Sequence, residues 1–332
     1  MRHATLVELA ERNGVRLPEA LLTDWPPVLS VADERGWFRF QRLYDAARTV
    51  LQTEADLRRV VLEAAIDDAA DGSGWLELQI DPSGYAARFD GLCALTELVL
   101  DAAAQAGRET GVGVAIVVAA NRTRHELDAR TLARLAARYA DRGVVGFGLS
   151  NDERRGPAAR FSPAFRIARR AGLASLPHGG ELAGPDSVLS CVLELGADRV
   201  GHGIRAVEDP ATLDLLAERG VACEVCPASN VALGVYPALA DVPVRRLLRA
   251  GVPVALGADD PLLFGSRLAD QYEIARHVHG LGDAELAELA RASVRASRAP
   301  ESVRAQLLAG IENWLATDPD RMATGPVSPV RG

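Results

Sequence analysis

The strongest chemical signal in the sequence is a histidine and a glutamate separated by two glycines. His178 and Glu181 follow an apolar segment, and the glycines between them allow the backbone to approach a ligand closely. A histidine at the end of a strand can bind a metal ion, and a carboxyl group beside it can act as a general acid or base. The alternative is a pair of solvated polar side chains at the end of a strand.

Two further groups of polar side chains follow apolar segments. His202 is flanked by glycine on both sides, and a core histidine bonded to the backbone is the alternative interpretation. Asp259 and Asp260 are adjacent carboxylates that repel each other unless a cation or a hydrogen-bond donor compensates them. Capping of a helix that begins at Pro261 would explain one aspartate and leave the other unexplained.

Two other spacings resemble metal sites, but we do not expect them to bind metal. Cys223 and Cys226 have the C-x-x-C spacing, yet they lie on a predicted strand where they point to opposite faces. The sequence also has no second cysteine pair to complete a structural zinc site. His277 and His279 are two residues apart on a predicted helix, where they do not face each other.

The elements that must position these residues alternate between strands and helices. Seven β-rich segments begin 22 to 37 residues apart, which is the period of a βα unit. They span residues 75–80, 112–118, 144–149, 173–176, 199–201, 221–225 and 252–256. Most of them end in loops with polar side chains, as in a barrel whose strand ends converge on one site. We therefore predict an α/β fold of the (β/α)8 TIM-barrel type, with its first strand absent from this chain.

The domain organisation follows from the same pattern. Residues 1–318 are predicted to form one barrel domain, in which residues 1–70 are a helical lid or insert. The segment 319–332 is rich in proline, glycine and serine, and we expect it to be frayed.

Composition excludes several classes of function. All 37 basic residues are arginine, so Schiff-base chemistry, a Walker-type phosphate loop and a carbamylated-lysine metal site are excluded. The net charge of −8 argues against nucleic acid or an anionic membrane as a partner. Four cysteines in 332 residues do not form a disulfide framework, and no apolar run reaches 18 residues. A cytoplasmic location is therefore the expectation.

Taken together and in this order, the motifs resemble those of the adenosine deaminase family of metal-dependent aminohydrolases. The matching strings are residues 178–181 (HGGE), 200–203 (VGHG), 226–230 (CPASN) and 259–261 (DDP). The resemblance extends over roughly residues 1–316. It implies a small-molecule partner, a 6-aminopurine nucleoside such as adenosine or deoxyadenosine, and hydrolysis that releases ammonia.

The resemblance also implies roles for individual residues. His178 and Asp259 would be ligands of one Zn²⁺ per chain, and the metal lowers the pKa of a water to about 7. Glu181 would protonate the purine at N1, and His202 would hold and polarise the attacking water. A carboxyl group that acts as an acid near neutral pH needs a raised pKa, so the resemblance implies a dry pocket around Glu181.

Three positions are implied to contact the substrate. Asp260 would hydrogen-bond N7 of the purine, and the backbone of Gly180 would lie near the base. Asn151 stands where the family usually has a glycine, close to purine N3 and the sugar. A side chain there indicates altered recognition on the sugar side. Deamination of 6-aminodeoxyfutalosine, in menaquinone biosynthesis, is therefore an alternative.

The family's first strand carries an H-x-H pair that supplies two metal ligands, and the N-terminal part of this sequence has no such pair. We expect Met1 to be an internal residue of a longer protein, in which case in-frame upstream DNA encodes the strand and the pair. The alternative of another class is a non-catalytic relative that binds nucleosides, which an upstream stop codon would favour.

Overall fold

Parallel β-strands alternate with helices along most of the chain. The computed structural model describes residues 1–23, 25–29 and 34–317, except for the side chains of residues 34 and 35. The strands are β1 Trp75–Ile80, β2 Gly113–Asn121, β3 Val144–Ser150, β4 Ala174–Gly179, β5 Arg199–His202, β6 Ala222–Val225 and β7 Val254–Leu256. The helices are α1 His3–Arg12, α2 Glu34–Arg48, α3 Glu54–Ala70, α4 Leu92–Thr110, α5 Glu126–Arg138, α6 Ser162–Arg170, α7 Pro185–Glu194, α8 Pro210–Arg219, α9 Pro227–Ala232, α10 Val244–Arg249, α11 Pro261–Phe264, α12 Leu268–His277, α13 Asp283–Ala296 and α14 Glu301–Ala316.

The seven strands form one curled sheet in which each strand pairs with its neighbours in the chain. The order is β1-β2-β3-β4-β5-β6-β7, and every pair is parallel. Among the described residues, β1 and β7 do not pair with each other. The prediction of a TIM-barrel-type α/β fold that lacks one strand is therefore confirmed. The expected frayed tail at 319–332 lies outside the described residues.

Two strands extend further than their apolar segments indicate. The sequence places His178 and His202 in loops, whereas β4 runs to Gly179 and β5 ends at His202 itself. The reason is that His178 pairs with Gly201 and Gly179 pairs with His202 in the sheet. Both histidines are thus held by the sheet, which positions them more rigidly than loops would.

A buried arginine connects distant strands inside the curled sheet. Arg199 of β5 is 5% exposed and pairs with Glu77 of β1 and Glu224 of β6. Its guanidinium also donates to the carbonyl of Ala296, at the end of α13. These contacts tie the first strand to the second half of the sheet.

The described part of the first 70 residues contains helices α1, α2 and α3 and no strand. The side chain of Thr53 accepts a hydrogen bond from Asp56 in a capping box that begins α3. On α2, the ring of Phe40 stacks on Phe264 of α11 at 5.3 Å between centroids, so α2 lies against the carboxyl ends of the strands. No helix among the described residues combines the length and apolarity needed to cross a membrane.

Candidate active site

Three predicted site residues meet at the carboxyl ends of β4, β5 and β7. The rings of His178 and His202 lie 5.2 Å apart between centroids. His202 Nε2 is 3.9 Å from Asp259 Oδ2. All three residues line one cavity of about 1750 Å³, which also extends along β1 and β7. The structure therefore brings together the two residues predicted as metal ligands and the histidine predicted to hold water.

Glu181 lies in the same pocket and is 4% exposed. Its Oε1 atom is 3.6 Å from His202 Nε2. Burial raises the pKa of Glu181 to about 7, although His202 acts in the opposite direction and Asp259 adds to the increase. A carboxyl group with this pKa can carry a proton near neutral pH, as a general acid must. The Glu181 side chain is therefore buried and has the raised pKa that the resemblance implies for an acid at this position.

The loop that carries Glu181 is organised by a second buried glutamate, Glu153. Its carboxylate accepts hydrogen bonds from the backbone N–H groups of Gly180 at 2.9 Å, Glu181 at 2.8 Å and Leu182 at 3.1 Å. The hydroxyl of Ser187 donates to the same carboxylate at 2.7 Å. Four donors converge on one anion, which fixes the loop and with it the position of the Glu181 side chain.

The conformation of this loop also requires glycine at position 180. Gly180 has a φ of +71°, and a Cβ atom there would lie 2.4 Å from Val188 Cγ2. Both the left-handed backbone and the close approach exclude larger residues. The Gly180 backbone is therefore fixed in this loop, and its contact with the base, which the family resemblance implies, stays a prediction.

A buried arginine holds the backbone of His178 in place. The guanidinium of Arg122, which is 2% exposed, donates hydrogen bonds to the carbonyls of His178 and Gly156. The thiol of Cys191 also donates to the carbonyl of His178, at 3.4 Å. Burial, together with the nearby charges of His202 and Arg122, lowers the pKa of His178 to about 3. The imidazole is therefore neutral, the form in which histidine binds metals.

Asn230 orients the second histidine. The Asn230 side chain is fully buried, and its Nδ2 lies 3.3 Å from His202 Nδ1. An amide nitrogen can only donate, so the neutral ring accepts at Nδ1 and carries its proton on Nε2. That proton faces the carboxylates of Glu181 and Asp259. Burial alone would lower the pKa of His202, but these two carboxylates more than offset burial and the pKa is raised.

Asp259 and Asp260 are both directed to the cavity rather than to a helix cap. Helix α11 begins after Asp260, yet the Asp260 side chain makes no capping hydrogen bond. Burial, with the charge of Asp259, raises the pKa of Asp260 to about 8. A protonated carboxyl at this position could donate to a ring nitrogen acceptor, as predicted for purine N7.

Left-handed backbone is concentrated at this site. In the described part of the chain, four non-glycine residues have a positive φ, and three of them line the cavity. These are Asn151 at +78°, His202 at +63° and Asp259 at +57°. Non-glycine residues in this conformation are strained and cluster at functional sites.

Several donors in the pocket suit a divalent cation. Ligand atoms of His202, Cys226 and Asp259 all lie within 4.8 Å of one another. His178 is not part of that close group, but its buried Nδ1 has no hydrogen-bond partner among the described residues. Imidazole, carboxylate and thiol are ligands that zinc accepts. The residues present therefore fit a zinc ion, with His178 and Asp259 as the predicted ligands and the Cys226 thiol within reach.

Four residues that shape this site have no role assigned to them from the sequence, although two of them stand in the matching string at 226–230. Arg122, Glu153 and Asn230 position the residues of the pocket, and Cys226 contributes a donor atom. Cys223, its partner in the C-x-x-C spacing, instead lies against the carbonyl of Gly203. A local signal for Glu153 exists, because it follows a run of polar residues at the end of β3. The groups that donate hydrogen bonds to it lie on another loop, so the sequence does not indicate what it binds.

Comparison with known proteins agrees with this geometry. The profile of the adenosine deaminase family matches residues 1–314. The chain belongs to the adenosine deaminase family. A Streptomyces coelicolor protein described as an adenosine/adenine deaminase is 65% identical, over 95% of this chain and 93% of that protein. Membership supports hydrolysis of a purine C–N bond, and deaminases of this family depend on a metal.

Two solved structures extend the comparison. The adenine deaminase of Arthrobacter aurescens has a TM-score of 0.87 and 30% identity, and 95% of each chain is covered. An amidohydrolase of Burkholderia ambifaria, solved with bound Zn, has a TM-score of 0.84 and 23% identity, over 97% of this chain and 88% of that one. The second similarity shows the fold alone.

Proposed function

We propose that this protein removes the 6-amino group of a purine by hydrolysis in a zinc-dependent reaction. One observation carries the proposal: a buried carboxyl group with a raised pKa, Glu181, lies 3.6 Å from His202 in a pocket that also contains Asp259. An acid, a group that can hold water and a metal-binding carboxylate are what hydrolysis of an aromatic amine requires.

Each residue of the pocket has its own role in the proposed reaction. Water adds to C6 of the purine, the C6–N bond breaks and ammonia leaves. Glu181 donates its proton to N1, so that negative charge does not build up on the ring. His202 orients the attacking water with the ring nitrogen that faces Glu181 and Asp259. A zinc ion held by His178 and Asp259, with a further donor, would supply the Lewis acidity that lowers the pKa of that water.

The proposed substrate is a 6-aminopurine, and there are four candidates. The family resemblance supports the nucleosides adenosine and deoxyadenosine. The name of the Arthrobacter aurescens structure adds the free base adenine. A cavity of about 1750 Å³ has room for the larger 6-aminodeoxyfutalosine. The cytoplasmic location and the absence of nucleic-acid and membrane partners remain predictions.

The test is ammonia release by zinc-replete protein from adenine, adenosine, deoxyadenosine and 6-aminodeoxyfutalosine. Turnover of at least one, abolished by a chelator and restored by Zn²⁺, is the expected result. Absence of turnover with all four would contradict the proposal. If the protein then bound hypoxanthine or inosine without turnover, the non-catalytic binder would be the correct interpretation.

A further inference from the structure

The thiol of Cys226 lies among the residues of the candidate active site. Cys226 is the first residue after β6, is 6% exposed and lines the same cavity as His202 and Asp259. The ligand atoms of these three residues, including the Cys226 Sγ, all lie within 4.8 Å of one another. The residues that the structure describes contain no second group of three potential metal ligands that approach so closely.

The two cysteines of the C-x-x-C spacing have different surroundings. Cys223 lies within β6, where its Sγ is 3.9 Å from the carbonyl oxygen of Gly203, and it does not line the cavity. Cys226 precedes α9, which begins at Pro227, and its side chain makes no capping hydrogen bond. Of the two thiols, Cys226 is therefore the one that an ion in the cavity can reach.

The sulfur of Cys226 is fixed in position without a strong hydrogen bond. Its Sγ lies 3.6 Å from the carbonyl oxygen of Glu224, and a thiol is a weak donor. On the side of β7, a Cβ atom at Gly257 would lie 3.2 Å from this sulfur, so glycine leaves the space that the sulfur occupies. The sulfur is thus held against the segment that leads from β7 to Asp259.

The donors assigned to zinc so far are fewer than a catalytic site uses. A catalytic zinc ion usually has three protein ligands and a fourth position open to water. The family resemblance implies His178 and Asp259 as ligands, which are two. The proposed role of His202 is to orient the water, so its imidazole is not the third. Cys226 is then the remaining donor of the close group.

The distances suit a tetrahedral ion after a small movement of side chains. Zinc binds sulfur at about 2.3 Å and carboxylate oxygen at about 2.1 Å, which places the two ligand atoms roughly 3.6 Å apart in a tetrahedron. The Cys226 sulfur and an Asp259 carboxylate oxygen lie within 4.8 Å of each other. A change in side-chain torsion angles can close the difference, which is at most about 1.2 Å.

The charge of the pocket also favours a cation beside the sulfur. Glu181, Asp259 and Asp260 line the same cavity as Cys226. Carboxylates gathered in one pocket repel each other, and a bound cation relieves that repulsion. A zinc ion at this point would meet a carboxylate and a thiolate together, and both are among its usual ligands.

We propose that the Cys226 thiolate is a direct ligand of the zinc ion, together with His178 and Asp259. The inference rests on the proposed function, because it adds a ligand to the metal that the proposed reaction needs. When the ion binds, the thiol releases its proton to solvent and the sulfur donates an electron pair to the metal. The fourth position stays open to the water that His202 orients.

Binding of Co²⁺ in place of zinc tests this ligand directly. A thiolate ligand gives bound Co²⁺ an intense charge-transfer absorption in the near ultraviolet, which nitrogen and oxygen ligands do not give. The chain of 332 residues is freed of metal and titrated with Co²⁺ alone. Cys226→Ser keeps the size of the side chain and removes the sulfur. Cys223→Ser is the matched control, because Cys223 is buried three residues away and does not line the cavity.

The expected result is a charge-transfer band in the wild type and in Cys223→Ser, and loss of the band in Cys226→Ser. Loss of a group that only supports a ligand lowers metal affinity about tenfold to a hundredfold, so Cys226→Ser should lower zinc affinity at least about a hundredfold. If Cys226→Ser does not fold, X-ray absorption of the zinc-bound wild type decides. A sulfur atom at about 2.3 Å supports the inference, and only nitrogen and oxygen at about 2.0–2.2 Å contradict it.

The outcomes separate this inference from the proposed function, which the ammonia-release assay tests by itself. Co²⁺ that binds to the wild type without the band overturns the inference and leaves the proposed function intact. A band that persists in Cys226→Ser has the same meaning, because another thiol is then the ligand. A chain that binds neither Co²⁺ nor Zn²⁺ overturns the zinc-dependent function, and the inference with it.

Discussion

Substitution of Glu153 tests whether its carboxylate holds the loop that carries Glu181. It accepts four hydrogen bonds, three of them from the backbone around Glu181. Glu153→Gln keeps the size of the side chain but leaves one oxygen, which can accept two hydrogen bonds. The new amide group also points its own hydrogens at a remaining donor. The change therefore removes about half of the hydrogen bonds that hold the Gly180–Leu182 loop.

The expected loss of unfolding free energy follows from the two hydrogen bonds that Glu153→Gln removes. Hydrogen bonds to charged groups contribute about 1.5–3 kcal/mol each, so removing two destabilises the fold by about 4 kcal/mol. With an unfolding entropy of about 2.1 cal/mol/K per residue, the expected fall in Tm is about 6 °C. Movement of Glu181 by about 1 Å would lower kcat by about a hundredfold.

Thermal unfolding and steady-state kinetics measure both effects on the same protein. Glu288→Gln is the matched control, since Glu288 is an exposed carboxylate that pairs with Arg291 and Arg295. Its expected change in unfolding free energy is below about 0.5 kcal/mol. If Glu153→Gln unfolds within about 1 °C of the wild type and keeps full turnover, the reasoning about the loop is refuted.

Four further predictions test the site and its surroundings. Glu181→Gln should lower turnover at least about a hundredfold and leave the affinity for hypoxanthine within about threefold, whereas near-normal turnover would remove Glu181 from the acid role. Because burial raises the pKa of Glu181 to about 7, the acid form is lost as pH increases, so kcat should fall above pH 7; a rate that keeps rising to pH 9 would contradict this. Burial and the charge of Asp71 raise the pKa of Asp68 to about 6, so the folded state holds that proton more tightly and stability falls as pH rises from about 4 to 6. Asp68→Asn should therefore stabilise the protein by up to about 3 kcal/mol at pH 7.5 and have little effect at pH 4, and equal effects in unfolding experiments at both pH values would count against it. His178→Ala and Asp259→Ala should each lower the zinc content measured by mass spectrometry, and an unchanged content in both would exclude them as ligands.

The strands were predictable because buried parallel strands are continuous apolar segments. The segment at 75–80 matches β1 without error, and the start of β3 is also correct. The ends were less accurate: β2 continues to Asn121, three residues beyond the predicted end, because small apolar residues continue the pairing with β3. Apolarity marks where a strand is buried, but pairing with the neighbouring strand decides where it stops.

The residues that meet in the cavity were predictable from the sequence, but the residues that position them were not. His178, Glu181, His202 and Asp259 stand next to glycines or turns at strand ends, which is a local signal. The hydrogen bond between Asn151 and Gln41 joins residues 110 positions apart in the chain. No local sequence pattern indicates that two such distant residues are in contact. Buried polar residues of this kind become recognisable only when the fold brings their partners together.

The positive φ angles at Asn151, His202 and Asp259 bear on how this protein would respond to selection in the laboratory. Asparagine and aspartate tolerate left-handed backbone, whereas a histidine there costs roughly 1 kcal/mol that glycine would not incur. A library selected for heat resistance alone would therefore replace His202 by glycine before the other two and lose the histidine of the pocket. A more stable variant should keep these three residues unchanged and should carry its stabilising substitutions in the outer helices.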